Sequence, residues 1–222
     1  DEPSHTKIAE SMAQSRGIYT PATGYYEMGA YVTGGVDPFY RMYLHPFLVS
    51  TLHNLTGVRV ANTYLVNGIA AFGTFALIFL LGRRLSGGYL EGGYAAQALL
   101  LASPLFVQTA NSAAYDITNL FALAFYGMSC LHYADQPGIK KGMNLCLAAG
   151  LVLAQGRSES ILFLAVFGLL FLKKSICARR VEVTWPAVFS PILLLGPLAG
   201  RKIAEVFSSY FTSMYETEQD GY

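Results

Sequence analysis

Charged residues are scarce in this chain. Asp, Glu, Lys and Arg make up 13% of its 222 residues, whereas hydrophobic residues make up 53%. Soluble domains carry about 25% charged residues, so this composition argues against a soluble domain and predicts a protein embedded in the lipid bilayer. The formal net charge is only +1. Nucleic-acid binding usually shows an excess of basic residues, so we predict no nucleic-acid partner.

Cysteine is also rare. The three cysteines, Cys130, Cys146 and Cys177, lie in or near apolar segments. An odd count without metal-ligand spacing indicates neither a disulfide framework nor a zinc site, so we interpret them as packing residues and predict no metal ligands. A start methionine and a basic-then-apolar leader are missing before Asp1. We therefore expect a first span ahead of Asp1, which would make the chain a piece of a longer protein.

Six apolar segments can serve as membrane spans if their polar ends extend them to about 20 residues. They are 60–81, 92–105, 119–133, 143–154, 161–172 and 183–199. The sequence thus predicts an all-α fold, a polytopic bundle of about six transmembrane helices with its first span missing. The predicted division is an extracytoplasmic loop over 1–58, the bundle over 59–200, and an extracytoplasmic tail or the start of a further loop over 201–222.

The predicted outer loop has three parts. Residues 1–17 have apolar positions at helical spacing but are too polar to span, so they predict a helix lying at the interface. Residues 19–43, rich in Gly and Tyr, predict a loop. A second amphipathic stretch starts at His45.

Pairs of basic residues occur in alternate loops between the predicted spans, with Arg201-Lys202 as the one exception. The pairs are Arg83-Arg84, Lys140-Lys141, Lys173-Lys174 and Arg179-Arg180. The positive-inside rule makes these loops cytoplasmic. Residues 1–59, the loop at Asp116, the turn at Arg157 and residues 201–222 then face outward, so we expect any chemistry on the extracytoplasmic side.

One carboxylate, Asp116, stands in the stretch 103–118 between two apolar segments. A lone acid at the end of membrane segments is costly unless it is functional or solvated. Aspartate also suits the N-cap or first turn of a helix. Chemistry alone leaves both interpretations open.

A second polar group is Arg157 with Glu159, in the sequence AQGRSES. An arginine at the end of a span can simply extend its head group to the interface. It can also bind a phosphate through paired donors, with Glu159 orienting it. The position opposite the basic loops gives the phosphate interpretation its weight.

Two further candidates lie in the first outer loop. Asp1 and Glu2 form an acid pair, and either carboxylate can act as a general base or belong to a solvated terminus. His45, with Arg41 nearby, can donate to a phosphate or bind a metal, although a histidine at an interface is often only solvated.

The order of these segments resembles the GT-C membrane glycosyltransferases, in particular the protein O-mannosyltransferases and the bacterial aminoarabinose transferases that modify lipid A. The resemblance covers residues 1–174, and it is the ordered set of segments that carries it. The segments are 1–3 (DEP), 43–47 (YLHPF), 81–85 (LGRRL), 102–106 (ASPLF), 114–116 (AYD) and 156–159 (GRSE). The family's His-Pro-Pro or Lys-Pro-Pro stretch keeps one of its two prolines at Pro46.

The resemblance implies transfer of one sugar from a polyprenyl-phosphate carrier to a lipid, glycan or protein acceptor outside a bacterial or archaeal cytoplasmic membrane. The phosphate leaving group needs a cation, for which Arg157 is the first candidate. The implied site comprises Asp1, Glu2 and Asp116 as catalytic acids, Arg157, His45 and Arg41 at the donor phosphate, and Glu159 in support. Some relatives bind a divalent metal and others do not, so the resemblance leaves a divalent metal open.

Two other functions remain compatible with the sequence. A transporter or flippase for a lipid-linked substrate would need polar groups near the middle of the membrane, and the spans offer few. A non-catalytic membrane subunit would keep the fold for packing alone.

Overall fold

The computed structural model describes residues 9–10, 12–14, 44–112 and 114–190 (Ser158 by its backbone only), and the backbone of four short strands between residues 19 and 38. The helices are α1 Leu44–Thr56, α2 Ala61–Leu85, α3 Leu90–Leu101, α4 Pro104–Ala110, α5 Asp116–Asp135, α6 Met143–Ala154 and α7 Leu164–Ala178. A 3-10 helix, Ser158–Phe163, leads directly into α7. The protein is a helical, polytopic membrane protein, as the sequence predicts.

The segment that precedes the bundle contains strands that the sequence analysis missed. Strand β1, Tyr19–Pro21, pairs antiparallel with β4, Val36–Pro38, and β2, Tyr25–Glu27, pairs antiparallel with β3, Ala30–Val32. We predicted a loop here from the glycines. Tyrosine, valine and threonine between those glycines favour the pleated backbone. The predicted amphipathic stretch at His45 is confirmed as α1, with Pro46 in its first turn, where proline is tolerated.

Fewer helices meet the length and composition of a full span than the six predicted. Within the described residues, α2 and the combined helix Glu159–Ala178 qualify, and α3 with α4 would form a third span bent by 74°. Helix α5 covers the third predicted span and is long enough, but it is not apolar enough to qualify, and α6 has only 12 residues. The sixth predicted span is helical over 185–190 and otherwise lies outside the described residues.

Helix α2 places its polar residues inside and its large apolar residues outside. Asn62, Thr63, Asn67 and Thr74 are buried, whereas Tyr64, Leu65, Ile69 and Phe72 are exposed. Lipid tails are as apolar as leucine, so in membranes the small and polar residues form the contacts between helices. With about 1.5 Å of rise per residue, the 25 residues of α2 are long enough to cross a hydrocarbon core about 30 Å thick.

Glycine and proline shape the next two connections. Gly87 and Gly88 have φ of +80° and +100°, a backbone region that glycine enters without strain, and they turn the chain from α2 into α3. A Cβ on Gly82 would lie 2.5 Å from the Gly92 carbonyl oxygen, so α2 and α3 pack backbone against backbone. Pro104 begins α4, and its ring and missing N–H prevent α3 from continuing straight.

Helices α5 and α6 form the main core. Tyr126, Tyr133, Met143 and Leu153 are buried there with further apolar residues of both helices. Cys130 and Cys146 belong to the same cluster, with their sulfur atoms 3.3 Å apart. Their interpretation as packing residues holds, but Cys177 is exposed.

At the end of the bundle away from Asp116, basic side chains form ion pairs and hydrogen bonds between the helix ends. Arg84 pairs with Asp135 at the last turn of α5. Lys174 donates to the carbonyl oxygen of Gln136 at 2.7 Å, and Arg180 pairs with Glu182 at 3.0 Å. These cations belong to the loops that the positive-inside rule predicts to be cytoplasmic, and they bond the helix ends at that end of the bundle.

Candidate active site

Asp116 begins helix α5 and faces an arginine from another part of the chain. Tyr115 occupies the N-cap position, and its side chain makes no cap hydrogen bond. The Asp116 Oδ1 atom instead accepts a hydrogen bond from Arg157 Nη1 at 3.1 Å. The two side chains are 40% and 42% exposed. The alternative of Asp116 as a helix cap therefore loses support, although its charge still suits the first turn of α5.

Arg157 is held on three sides. It stands in an extended conformation just before the 3-10 helix, with φ of −149°. Its Nε atom lies 3.6 Å from Glu159 Oε2, and its guanidinium carbon lies 5.5 Å from the centre of the Tyr115 ring. Two carboxylates and one aromatic face thus fix a single cation, which is a stronger arrangement than an isolated exposed ion pair.

A second set of contacts fixes the turn that carries Arg157. Asn119, one turn into α5, accepts a hydrogen bond from Ser160 Oγ at 3.0 Å. A Cβ on Gly156 would come within 2.5 Å of Asn119 Oδ1, so only glycine leaves room for that amide. The Leu44 amide donates to the Gln155 carbonyl at 3.2 Å, which brings the start of α1 to the same turn.

His45 is linked to the loop before Asp116 by hydrogen bonds to a buried asparagine on α2, Asn67. His45 Nε2 lies 3.1 Å from Asn67 Oδ1, and Thr118 Oγ1 donates to the same oxygen at 3.3 Å. The Asn67 amide nitrogen donates to the carbonyl oxygens of Ser112 and Ala114 at 2.7 and 2.8 Å. Asn67 thus joins α1, α2, α5 and the loop that leads to Asp116.

A neighbouring histidine on α1 has a similar partner. His53 Nδ1 lies 2.8 Å from Asn62 Nδ2, and the same amide donates to the Gly57 carbonyl at 2.9 Å. Burial lowers the pKa of His53 below its ordinary value of 6.5, against opposing effects of Glu10 and the Gly57 carbonyl. His53 is therefore kept neutral more strongly than a solvated histidine.

The structure brings together three of the predicted site residues and links a fourth. Asp116, Arg157 and Glu159 are in contact, and His45 is connected to their loop by Asn67. Asp1, Glu2 and Arg41 lie outside the described residues, so their roles stay predictions. Sequence reasoning missed Asn67, Thr118, Asn119 and Ser160. An asparagine inside an apolar span is a signal that could have found Asn67, because such a group needs a partner.

The described residues do not fit a divalent metal. Among them, no group of three or more His, Cys, Asp and Glu side chains is arranged to hold a metal ion. We therefore derive no chemical step through a metal.

The fold is similar to part of one solved structure. The crystal structure of ArnT from Cupriavidus metallidurans bound to undecaprenyl phosphate matches 92% of this chain with a TM-score of 0.61 and 16% sequence identity. The chain spans 37% of the length of that protein. At this identity the likeness concerns the fold alone. The sequence matches no protein-family model and no curated protein.

Proposed function

We propose that this chain forms the site-bearing part of a glycosyltransferase, which moves a sugar from a polyprenyl-phosphate carrier to an acceptor hydroxyl on the extracytoplasmic side. The observation that carries the proposal is the contact between Asp116 and Arg157, reinforced by Glu159. It places an acid and a cation together at the end of the bundle opposite the basic loops. The similarity of fold to ArnT, a protein solved with undecaprenyl phosphate, agrees with such a donor.

The proposed reaction uses the cation on the leaving group and a carboxylate on the acceptor. The acceptor oxygen attacks the anomeric carbon of the sugar, the bond from that carbon to the phosphate oxygen breaks, and the acceptor proton passes to a carboxylate. Polyprenyl phosphate leaves with an added negative charge, which Arg157 stabilises. Because the sequence offers no obvious nucleophile to bond covalently to the sugar, we expect inversion at the anomeric carbon.

The pairing of Arg157 with two acids has a consequence for this scheme. Arg157 uses Nη1 for Asp116 and Nε for Glu159, so a phosphate can bind the remaining N–H groups or take the place of one carboxylate. In this scheme the phosphate takes the place of Asp116, which frees that carboxylate for the acceptor. Asp1 or Glu2 remains the proposed general base, with Asp116 holding the acceptor or supporting that base.

The remaining assignments belong to the same proposal. Residues 1–58 form the extracytoplasmic loop, 59–200 the bundle, and 201–222 an outer tail or the start of a further loop. The acceptor is a lipid, glycan or protein, and the membrane is a bacterial or archaeal cytoplasmic membrane. A flippase gains no support from the polar groups inside α2, because Asn67 and Thr74 are hydrogen-bonded within the protein.

Sugar transfer by Asp116→Asn tests the proposal. Membranes containing the full-length protein are supplied with a panel of undecaprenyl-phosphate sugars, and release of undecaprenyl phosphate is measured. General acid–base effects run to about 10²–10⁴ in rate, so we expect a loss in that range with normal membrane insertion. Because Asp116 lies in the first turn and not at the N-cap, asparagine should lose only the interaction of the charge with the helix dipole, about 0.3–1 kcal/mol.

Asp135→Asn is the matched control for that experiment. Asp135 is an acid on the same helix that also pairs with an arginine, but at the other end. We expect it to transfer sugar at the wild-type rate. Unchanged activity in Asp116→Asn would refute the catalytic role of Asp116.

A further inference from the structure

The orientation of the Asn67 side-chain amide is fixed by its surroundings. Its nitrogen faces two backbone carbonyl oxygens, those of Ser112 and Ala114. Carbonyl oxygens only accept hydrogen bonds, so both amide protons are used there. The Oδ1 atom must then point at His45 and Thr118, and it can only accept. Asn67 is fully buried, so water offers no alternative to these partners.

This orientation determines where His45 carries its proton. Because Asn67 Oδ1 accepts, His45 Nε2 must be the protonated ring nitrogen. The bond to Asn67 survives whether the ring is neutral or positively charged, since Nε2 carries a proton in both states. Any proton that His45 gives or takes is therefore exchanged at Nδ1.

The second histidine–asparagine pair shows the opposite polarity. Asn62 donates to the Gly57 carbonyl and accepts from Thr56 Oγ1 at 3.0 Å, so its nitrogen also donates to His53 Nδ1. A proton on His53 Nδ1 would face that donor. His53 must stay neutral to keep its bond, whereas His45 can become a cation and keep its own.

We infer that Asn67 is a positioning residue for the candidate site. Its amide oxygen holds His45 with the ring proton on Nε2, and its amide nitrogen bonds the loop at Ser112 and Ala114 to α2. The inference rests on the proposed function in one respect, namely that His45 binds the donor phosphate, as the resemblance to the GT-C enzymes implies. The bond from His45 Nε2 to Asn67 Oδ1 holds the imidazole ring in place, and it is retained when the ring becomes positively charged. Through the two carbonyl bonds, Asn67 sets the approach of the chain to Asp116.

The first test reads the His45 ring directly. The chain has four histidines, so selective ¹⁵N-histidine labelling of the full-length protein in nanodiscs gives few signals, and His45→Gln assigns the one of interest. We expect the wild-type neutral ring to carry its proton on Nε2. In Asn67→Leu we expect this preference to be lost. A wild-type ring protonated on Nδ1 instead of Nε2 overturns the inference without any variant.

The second test separates positioning from stability. In metal sites, the partner that orients a ligating histidine contributes about 10–100-fold. Taking that scale for a histidine that binds phosphate, we expect Asn67→Leu to raise the KM for the undecaprenyl-phosphate sugar by such a factor and to leave the acceptor KM unchanged. Asn62→Leu is the matched control, because Asn62 is a buried asparagine on the same helix that also bonds a histidine. We expect its donor KM to stay at the wild-type value. Equal changes in both variants, or only a smaller active fraction, would overturn the inference.

The two tests also distinguish failure of the reaction from failure of the inference. If the wild-type protein transfers no sugar but its His45 proton lies on Nε2 and moves in Asn67→Leu, the positioning stands and the proposed reaction falls. If transfer is normal and His45 is unaffected by Asn67→Leu, the positioning falls and the reaction stands.

Discussion

The Nη1 atom of Arg157 donates to the Oδ1 atom of Asp116 at 3.1 Å, joining the turn after α6 to the first residue of α5. Both side chains are around two-fifths exposed, so the pair contributes only about 0–1 kcal/mol to stability. Its position at the end of two packed helices has more bearing on function than on folding. Exchange of partners on Arg157 is therefore inexpensive, as replacement of Asp116 by a phosphate requires.

Arg157→Lys should lower use of the donor with little effect on stability. Lysine keeps the charge but lacks the planar fork that binds a carboxylate or phosphate through two donors. We expect kcat/KM for the polyprenyl-phosphate sugar to fall by at least about 10-fold, which is about 1.4 kcal/mol. Steady-state kinetics in nanodiscs provide the measurement. Arg84→Lys, at the opposite end of the bundle, is the control, and equal kinetics for the two variants would contradict the assignment.

Gly156→Ala should disturb the site through a single methyl group. The new Cβ would lie 2.5 Å from Asn119 Oδ1 and 3.2 Å from the Leu153 carbonyl oxygen. The amide cannot keep its bond to Ser160, so we expect a loss of about 1–3 kcal/mol in stability together with reduced transfer. Thermal unfolding in detergent and the transfer assay measure the two effects.

Gly168→Ala is the matched control for Gly156→Ala. A Cβ on Gly168, in the middle of α7, meets nothing within 4 Å. Alanine there should be neutral or stabilise the helix by about 0.5–1 kcal/mol. If Gly156→Ala behaves in the same way, the close contact with Asn119 does not constrain the turn.

The helices of this protein could be predicted from local sequence, because hydropathy and charge act along the chain. The apolar run 60–81 correctly predicted α2, and the run 119–133 predicted most of α5. The alternation of basic loops also placed Asp116 and Arg157 at one end of the bundle, where the structure brings them into contact.

The network around Asn67 could not be predicted in this way, because its bonds join residues 22, 45, 47 and 51 positions apart. Such contacts depend on how α1, α2 and α5 pack together. The bend of 74° between α3 and α4 was missed for a related reason. Pro104 indicates a break, but hydropathy alone joins the two apolar runs on either side of it.

The orientation in the membrane is tested by labelling single cysteines at the two ends of α5. Asn111 and Lys141 are both exposed and lie before and after that helix. In a Cys177→Ser background, an impermeant maleimide added to intact cells should label Asn111→Cys and leave Lys141→Cys unmodified, because basic loops stay in the cytoplasm. Permeabilised cells should show both labelled. Labelling of position 141 alone in intact cells would reverse the orientation and move the proposed chemistry to the cytoplasmic side.

Acid should loosen the packing of α1 on α2 through His53. Burial lowers the pKa of His53 below 6.5, so below that pH the unfolded chain binds more protons than the folded protein. Stability therefore rises with pH through this interval and is lost as pH falls from about 6.5 toward the folded-state pKa. Protonation of Nδ1 would also break its hydrogen bond with Asn62, because two N–H donors would then face each other. Most carboxylates titrate below this range, so melting temperatures between pH 7 and pH 5 isolate the histidines. We expect the melting temperature to fall with pH in the wild-type protein and to fall less in His53→Gln. Equal pH dependence in both proteins would assign the effect to another group.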